Sequence, residues 1–391
     1  MDEPRGMARR DFLRVAAVGA AAAMLPLACD RNAAPPAERA ARSEAPRIPT
    51  IAKNFAPTRG IIPPLVTPFA ADRSVDWDCL DRLIDWHAAR GVAGLFLVCG
   101  SGELYRLTEE EVVRMAAAAV RRAGALAPAG RVHVLVGGTI HRDPADAQRN
   151  IVLARRVADA GVDACFIIPT DDPRTLPEKV ADLYHGAREG RRSILEARML
   201  DWFARVHDAV PGPLCAYEMP GGANFTFSPD GLATLGRMER YIGIKDTSTR
   251  GSGPKALATV RAKLAAARGT VSIMQANTPH LLESLKIGCT GGINTSANVA
   301  PSLFAAMYRA EEAGDLATAE RLQERINRVD RMVSRGYMLS AKVALAMMGV
   351  PIAPICRQRT WDISAEGAAR LREMVALIDR TEREFGIRSE A

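Results

Sequence analysis

The sequence predicts an α/β fold, a TIM (β/α)8 barrel with a C-terminal helical extension. Eight short apolar runs lie between residue 58 and Thr295: Ile61–Val66, Gly94–Cys99, Val132–Val136, Ala164–Ile168, Leu214–Glu218, Ile242–Lys245, Val271–Gln275 and Gly292–Thr295. Each is continuous rather than alternating, as parallel strands buried on both faces require. Longer amphipathic stretches separate them, and about 240 residues for eight βα units is the usual barrel size. After Thr295 the pattern is helical only. The competing open doubly wound sheet wants a Gly-rich turn after its first strand. Here Pro63-Pro64-Leu65-Val66-Thr67-Pro68 follows instead.

In chain order, residues 1–29 read as an export signal. Ala8-Arg9-Arg10-Asp11-Phe12-Leu13-Arg14 has the twin-arginine pattern, and the apolar run Val15–Ala28 has the length of a signal core rather than a membrane span. Leu25-Pro26-Leu27-Ala28-Cys29 is a degenerate lipobox, which leaves lipidation of Cys29 open and with it a membrane tether. The expected location is periplasmic or membrane-anchored. Residues 30–57 are rich in Ala, Pro, Arg and Glu and read as a linker. The barrel is assigned to 58–313 and the helical domain to 314–391. Within the barrel, Leu80, Leu83, Ile84 and His87 share one helical face, as do Ile151, Ala154, Val157 and Ala158. Asp76 or Thr108 caps a helix, and Thr108 has Glu111 at the capping-box spacing. The last helices are expected near 299–313, 315–335, 338–349 and 363–386.

Composition narrows the function. The chain has 391 residues, 25% of them charged, and a net charge of +7. Lysine and arginine total 52, yet only seven are lysine. The charges are scattered, with none of the basic stripe and interleaved aromatics that nucleic-acid binding asks for. Seven cysteines occur without a CxxC pair; Cys99, Cys165 and Cys215 lie in apolar runs and read as buried small hydrophobes. The six histidines show no HxH or HExxH spacing, so no metal and no cofactor are expected. A serine hydrolase would need a histidine at a strand end, and none is there.

Barrel chemistry sits at the C-terminal strand ends. There Lys245 stands out in a chain poor in lysine. On the inner face it would be desolvated, its pKa lowered, and its neutral amine able to attack a carbonyl. Gly243 shares that face and would leave room beside the stem. The alternative is a lysine whose head snorkels to solvent. Tyr217 ends the preceding strand, about 4.8 Å away, and could carry a proton; by itself it would read as a core filler. In the turn Gly100-Ser101-Gly102, the backbone N–H groups and the Ser101 hydroxyl could hold a carboxylate, or the turn could be merely tight. Ile293, in the eighth run, is added to the expected substrate-binding residues. His141 reads as a solvated loop residue.

Jointly, Pro64-Leu65-Val66-Thr67-Pro68-Phe69, the Gly-Ser-Gly-Glu turn with Leu107-Thr108-Glu109-Glu110, Tyr217-x-x-Pro220, Gly243-Ile244-Lys245-Asp246-Thr247-Ser248 and Ala297-Asn298-Val299-Ala300-Pro301 resemble the dihydrodipicolinate synthase / N-acetylneuraminate lyase family from about Gly60 to Ile378. The resemblance implies a TIM barrel, a homodimer or homotetramer, and a lysine imine with pyruvate or a related 2-oxo acid. It implies Lys245 as the imine-forming residue, Tyr217 as proton carrier, and Gly100, Ser101 and Gly102 as the carboxylate-binding turn. The departures are specific. The turn either is one residue short or begins at Cys99. The fourth strand ends Pro169-Thr170-Asp171 where a tyrosine of the synthases' relay is usual. Gly221-Gly222-Ala223 stands where those enzymes carry an arginine, and Glu218 replaces a frequent asparagine. The segment from Thr170 to Pro213 is long.

The expectation is therefore a Schiff-base lyase or aldolase acting on a 2-oxo acid or sugar acid, distinct from dihydrodipicolinate synthase itself. Lys245, Tyr217 and Ser101 would be catalytic. An imine-dependent dehydratase, or a non-catalytic binding protein on the same barrel, remains open at this point.

Overall fold

The computed structural model describes residues 53–127, 132–169, 194–218, 226–249, 256–357 and 363–387. The expected signal segment with Cys29, most of the linker, the fourth-strand end at Thr170-Asp171, and Pro220 to Ala223 lie outside the described residues.

Eight strands form one parallel sheet: β1 (Gly60–Ile61), β2 (Gly94–Leu97), β3 (His133–Gly137), β4 (Ala164–Ile167), β5 (Leu214–Tyr217), β6 (Tyr241–Asp246), β7 (Ser272–Gln275) and β8 (Gly291–Gly292). Their order is β1-β8-β7-β6-β5-β4-β3-β2. The seam between β1 and β2 closes through the Leu65 N–H to the Phe96 carbonyl at 2.8 Å, Phe96 N–H to Pro63 at 3.0 Å, and Ala93 N–H to Ile61 at 2.9 Å. The sheet is thus a barrel, as expected.

Six of the eight apolar runs match their strands to within one or two residues. The two that meet at the β1–β8 seam do not. The first run was expected to be strand through Val66, but Pro63 and Pro64 lack an N–H for the ladder. Regular pairing therefore stops at Ile61 and returns only as a bridge between Pro64 and Phe96. At the other end, β8 finishes at Gly292 and Thr295–Asn298 forms a 3-10 turn. Asn298 Oδ1 accepts the Val66 N–H at 3.1 Å and its amide donates to the Pro64 carbonyl at 2.8 Å, so a side chain supplies the partners the ladder lacks.

Helices α1 (Trp77–Ala88), α2 (Glu109–Leu126), α3 (Ala147–Asp159), α4 (Ile194–Ala209), α5 (Pro229–Gly236), α6 (Ala256–Ala267) and α7 (Leu281–Lys286) follow their strands. Asp76 caps α1 by accepting the Cys79 N–H, and Thr108 with Glu111 forms a full capping box on α2. Leu80, Leu83, Ile84 and His87 are all buried. Of the long segment after Thr170, residues 194–209 are helix α4. Cys79, Cys99, Cys165, Cys215 and Cys289 are buried free thiols.

Helices α8 (Pro301–Glu312), α9 (Leu316–Val333), α10 (Tyr337–Met347) and α11 (Ala365–Glu384) follow the barrel strands. Their apolar faces share a core of Leu303, Phe304, Leu322, Ile326, Leu345 and Leu371. Helix α9 is fixed across the ends of β7 and β8. Gln323 accepts the Leu282 N–H at 3.0 Å and donates to the Thr278 carbonyl at 3.0 Å, and Asp330 accepts the Ser296 hydroxyl at 2.7 Å. This placement carries C-terminal residues to the barrel mouth. Among the described residues no helix is long and apolar enough to cross a membrane.

Candidate active site

A cavity of about 450 Å³ opens at the C-terminal strand ends, lined by residues from six βα turns and from α9 and α10. Gly100, Tyr217, Lys245, Thr247, Asn277 and Thr295 come from the barrel, and Asp330, Ser334 and Tyr337 from beyond it.

Lys245 lies opposite Tyr217 in the register of β5 and β6. Its Nζ donates to Tyr217 Oη at 2.9 Å and lies 4.1 Å from that ring's centroid. The lysine is 7% exposed, so its head does not snorkel into solvent. Burial lowers its pKa, against smaller opposing effects of Cys99 and Tyr337. No carboxylate among the described residues pairs with it. The other two buried lysines among the described residues differ in this respect. Lys263 Nζ contacts Glu218 at 2.5 Å and Asp246 at 2.7 Å, and Lys342 contacts Glu103 at 3.1 Å. A buried ammonium is normally paired. A buried lysine facing a phenol instead is favoured as the neutral, nucleophilic amine.

Tyr217 is 5% exposed and held edge-on against Phe96 and Phe166, at 5.6 and 6.3 Å between centroids. The expected room beside the Lys245 stem is not there. A Cβ on Gly243 would meet Thr58 at 2.8 Å and Met274 at 3.1 Å, so the glycine serves close packing of the barrel interior.

The turn after β2 is tight. Val98 and Glu103 both have left-handed backbone, φ 53° and 60°, an uncommon state for such side chains. The Gly102 N–H is bonded to the Cys99 carbonyl at 3.0 Å, and its carbonyl accepts the Thr67 hydroxyl at 2.7 Å. A Cβ there would come within 2.9 Å of the Leu65 carbonyl. Gly102 is therefore a packing position. Gly100 lines the cavity. Ser101 is 2% exposed, with Oγ 3.4 Å from Thr295 Oγ1. Ile293 is 1% exposed, part of the barrel core and not of the cavity lining; Thr295, two residues on, does line it.

Beside Tyr217, Glu218 is buried with Lys263 and Asp246. It also accepts the N–H groups of Phe227 at 2.8 Å and Thr247 at 2.9 Å. Burial raises its pKa to about 7 despite Lys263. This cluster braces the ends of β5 and β6 next to the Lys245–Tyr217 pair.

His141 donates from Nε2 to the Glu109 carboxylate at 2.8 Å and is partly buried, so it is not simply solvated. Its neighbour Arg142 reaches the cavity instead, with its guanidinium 3.7 Å from the Tyr105 ring centroid. Among the described residues no group of three His, Cys, Asp or Glu side chains is placed to hold a metal. Sequence reasoning missed Arg142, Tyr105 and Tyr337. The scarcity of lysine, which singled out Lys245, would equally have flagged Lys263 and Lys342. Nothing local marks Tyr337, which reaches the site only through the docking of α9 and α10.

A model of the dihydrodipicolinate synthetase family matches residues 57–173 and 194–377. A 4-hydroxy-tetrahydrodipicolinate synthase of Cereibacter sphaeroides is 30% identical over 293 residues, covering 75% of this chain and 89% of the relative. An Escherichia coli protein named as a probable 2-dehydro-3-deoxy-D-pentonate aldolase is 26% identical over 311 residues, covering 78% and 93%. Among solved structures, a prophage protein of Escherichia coli K12 from the dihydrodipicolinic acid synthase family, in complex with pyruvate, superposes with a TM-score of 0.67 at 24% identity, over 82% of this chain and 98% of that one.

Proposed function

The chain belongs to the dihydrodipicolinate synthetase family, and on that premise we propose that it is a class I lyase that makes or breaks a carbon–carbon bond in a 2-oxo acid through an imine on Lys245. The observation that carries this reading is the 2.9 Å contact between Lys245 Nζ and Tyr217 Oη, buried and without a carboxylate partner for the amine among the described residues.

The neutral amine attacks C2 of the 2-oxo acid. Tyr217 gives its proton to the departing hydroxyl, water leaves, and the protonated imine becomes an electron sink. In the cleavage direction the Tyr217 phenolate takes the proton of the C4 hydroxyl. The C3–C4 bond then breaks, its electron pair entering the imine as an enamine while an aldehyde departs. Protonation of C3 and hydrolysis free pyruvate and the lysine. Ser101 and the turn at Gly100 are suited to the substrate carboxylate, since hydroxyl and amide donors there act in a largely water-excluded site. At the mouth, Arg142 on Tyr105 offers a cation to an anionic group in the substrate's distal half. That role would replace the arginine which synthases carry after Tyr-x-x-Pro and favours an aldol substrate other than theirs. With its twin-arginine segment the protein would act outside the cytoplasm, which detection in a periplasmic fraction would test.

Borohydride reduction with pyruvate, followed by peptide mass spectrometry, tests the reading. A pyruvyl adduct on Lys245, absent in Lys245→Ala, is expected. No adduct across a panel of 2-oxo and sugar acids would overturn imine chemistry and leave a binding protein.

A further inference from the structure

Successive strand residues point to opposite faces. At the ends of β5 and β6, Tyr217 and Lys245 meet at the cavity, and the next residue of each, Glu218 and Asp246, points toward α6. Lys263 of α6 stands between the two carboxyl groups, and all three side chains are fully buried. The other contacts of Glu218 tie the same two strand ends. Its Oε2 accepts the Thr247 N–H at 2.9 Å, its carbonyl accepts the Thr247 hydroxyl at 3.3 Å, and its N–H donates to the Lys245 carbonyl at 3.3 Å. Thr247 in turn lines the cavity. Such a cluster is a costly way to join two strands, because each buried ion loses its hydration and apolar residues of similar volume often hold a core as well. One carboxyl oxygen, Asp246 Oδ2, has no hydrogen-bond partner among the described residues. What the ions add is direction, since hydrogen bonds fix the reach and angle of each group. Direction matters most beside a pair that must stay in 2.9 Å contact.

We propose that Glu218 is a positioning residue for the imine chemistry. With Lys263 and Asp246 it sets the ends of β5 and β6 from their outer side, and so holds Tyr217 Oη against Lys245 Nζ and Thr247 at the cavity wall. This inference rests on the imine reading above. Glu218 takes no part in making or breaking bonds and acts only through the two strand ends. The turn at Gly100 and Ser101 lies on β2, outside this cluster, so the cluster governs the reacting pair and not the grip on the substrate carboxylate.

The test is the rate of imine formation with pyruvate, read by timed borohydride quenching over a range of pyruvate concentrations. A triple variant, Glu218→Gln with Lys263→Met and Asp246→Asn, removes every charge of the cluster at nearly constant volume. Buried ion clusters often survive such replacement without loss of stability, so function can be read apart from folding. Per folded molecule, the maximum rate should fall at least about tenfold, within the roughly 10²-fold that a misplacement of about 1 Å costs. The half-saturating pyruvate concentration should stay within about twofold of the wild type, because the carboxylate turn is untouched. A merely structural cluster would change the urea midpoint and leave that rate alone. A smaller fall in maximum rate would therefore overturn the assignment, as would a larger change in half-saturation. If the triple variant fails to fold, Glu218→Gln alone decides by the same two criteria. Absence of trapping in the wild type would instead refute the imine reading, and this inference with it.

Discussion

Glu103 and Lys342, 239 residues apart in sequence, form an ion pair of 3.1 Å with both side chains fully buried. Glu103 closes the turn after β2, and Lys342 sits on α10 with its ammonium over the Phe69 ring at 4.5 Å. The pair is the point where the helical extension grips the turn after β2. Arg357 adds a second tie, with two hydrogen bonds to Glu111 at 2.7 and 2.8 Å.

Lys342→Met should be strongly destabilising, because it strands the buried Glu103 carboxylate. Breaking one side of such a pair costs about 3–5 kcal/mol. Glu103→Leu combined with Lys342→Met should recover a good part of that loss, measured by denaturant unfolding. A single variant as stable as the wild type would show that the pair contributes nothing.

Lys245 has its pKa lowered by burial. The free amine therefore becomes dominant as pH rises through a value below the ordinary 10.5. The rate of adduct formation with pyruvate should climb with pH and level off before pH 10.5. A rate still rising at that pH would mean that the amine is not desolvated.

Arg142 lines the cavity without a carboxylate partner among the described residues, stacked at 3.7 Å on Tyr105. Arg142→Ala should raise KM for aldol substrates with an anionic distal end by about tenfold or more, the scale of a lost charged hydrogen bond. Pyruvate trapping should be unchanged. Equal effects on substrates with and without the distal charge would remove Arg142 from specificity.

His87 on α1 is fully buried, with Nδ1 at 2.8 Å from the Leu83 carbonyl, and burial depresses its pKa to about 4. The unfolded chain binds this proton near pH 6.5, while the native chain resists until about pH 4. Stability should thus be lost as pH falls across that window, by roughly 3 kcal/mol for a shift of this size. His87→Phe should flatten the loss in urea titrations at pH 7 and pH 4.5; an unchanged slope would contradict it.

The sequence by itself determined the barrel, because continuous apolar runs and helical periodicity are local signals set by burial on two faces or one. It also singled out Lys245 and Tyr217, since strand register places neighbouring strand ends together once the strand order is known. It misjudged the strands at the β1–β8 seam, where Pro63, Pro64 and Asn298 replace ladder bonds with side-chain ones. Only the tertiary structure decided how the site is completed. The pairing of Glu103 with Lys342, the clustering of Glu218 and Asp246 around Lys263, and the arrival of Tyr337 at the cavity join residues distant in the chain. The first and third are fixed by how α9 and α10 dock on the strand ends, the second by how α6 packs beside β5 and β6. That docking depends on side-chain fit across the whole interface, which no short stretch of sequence encodes.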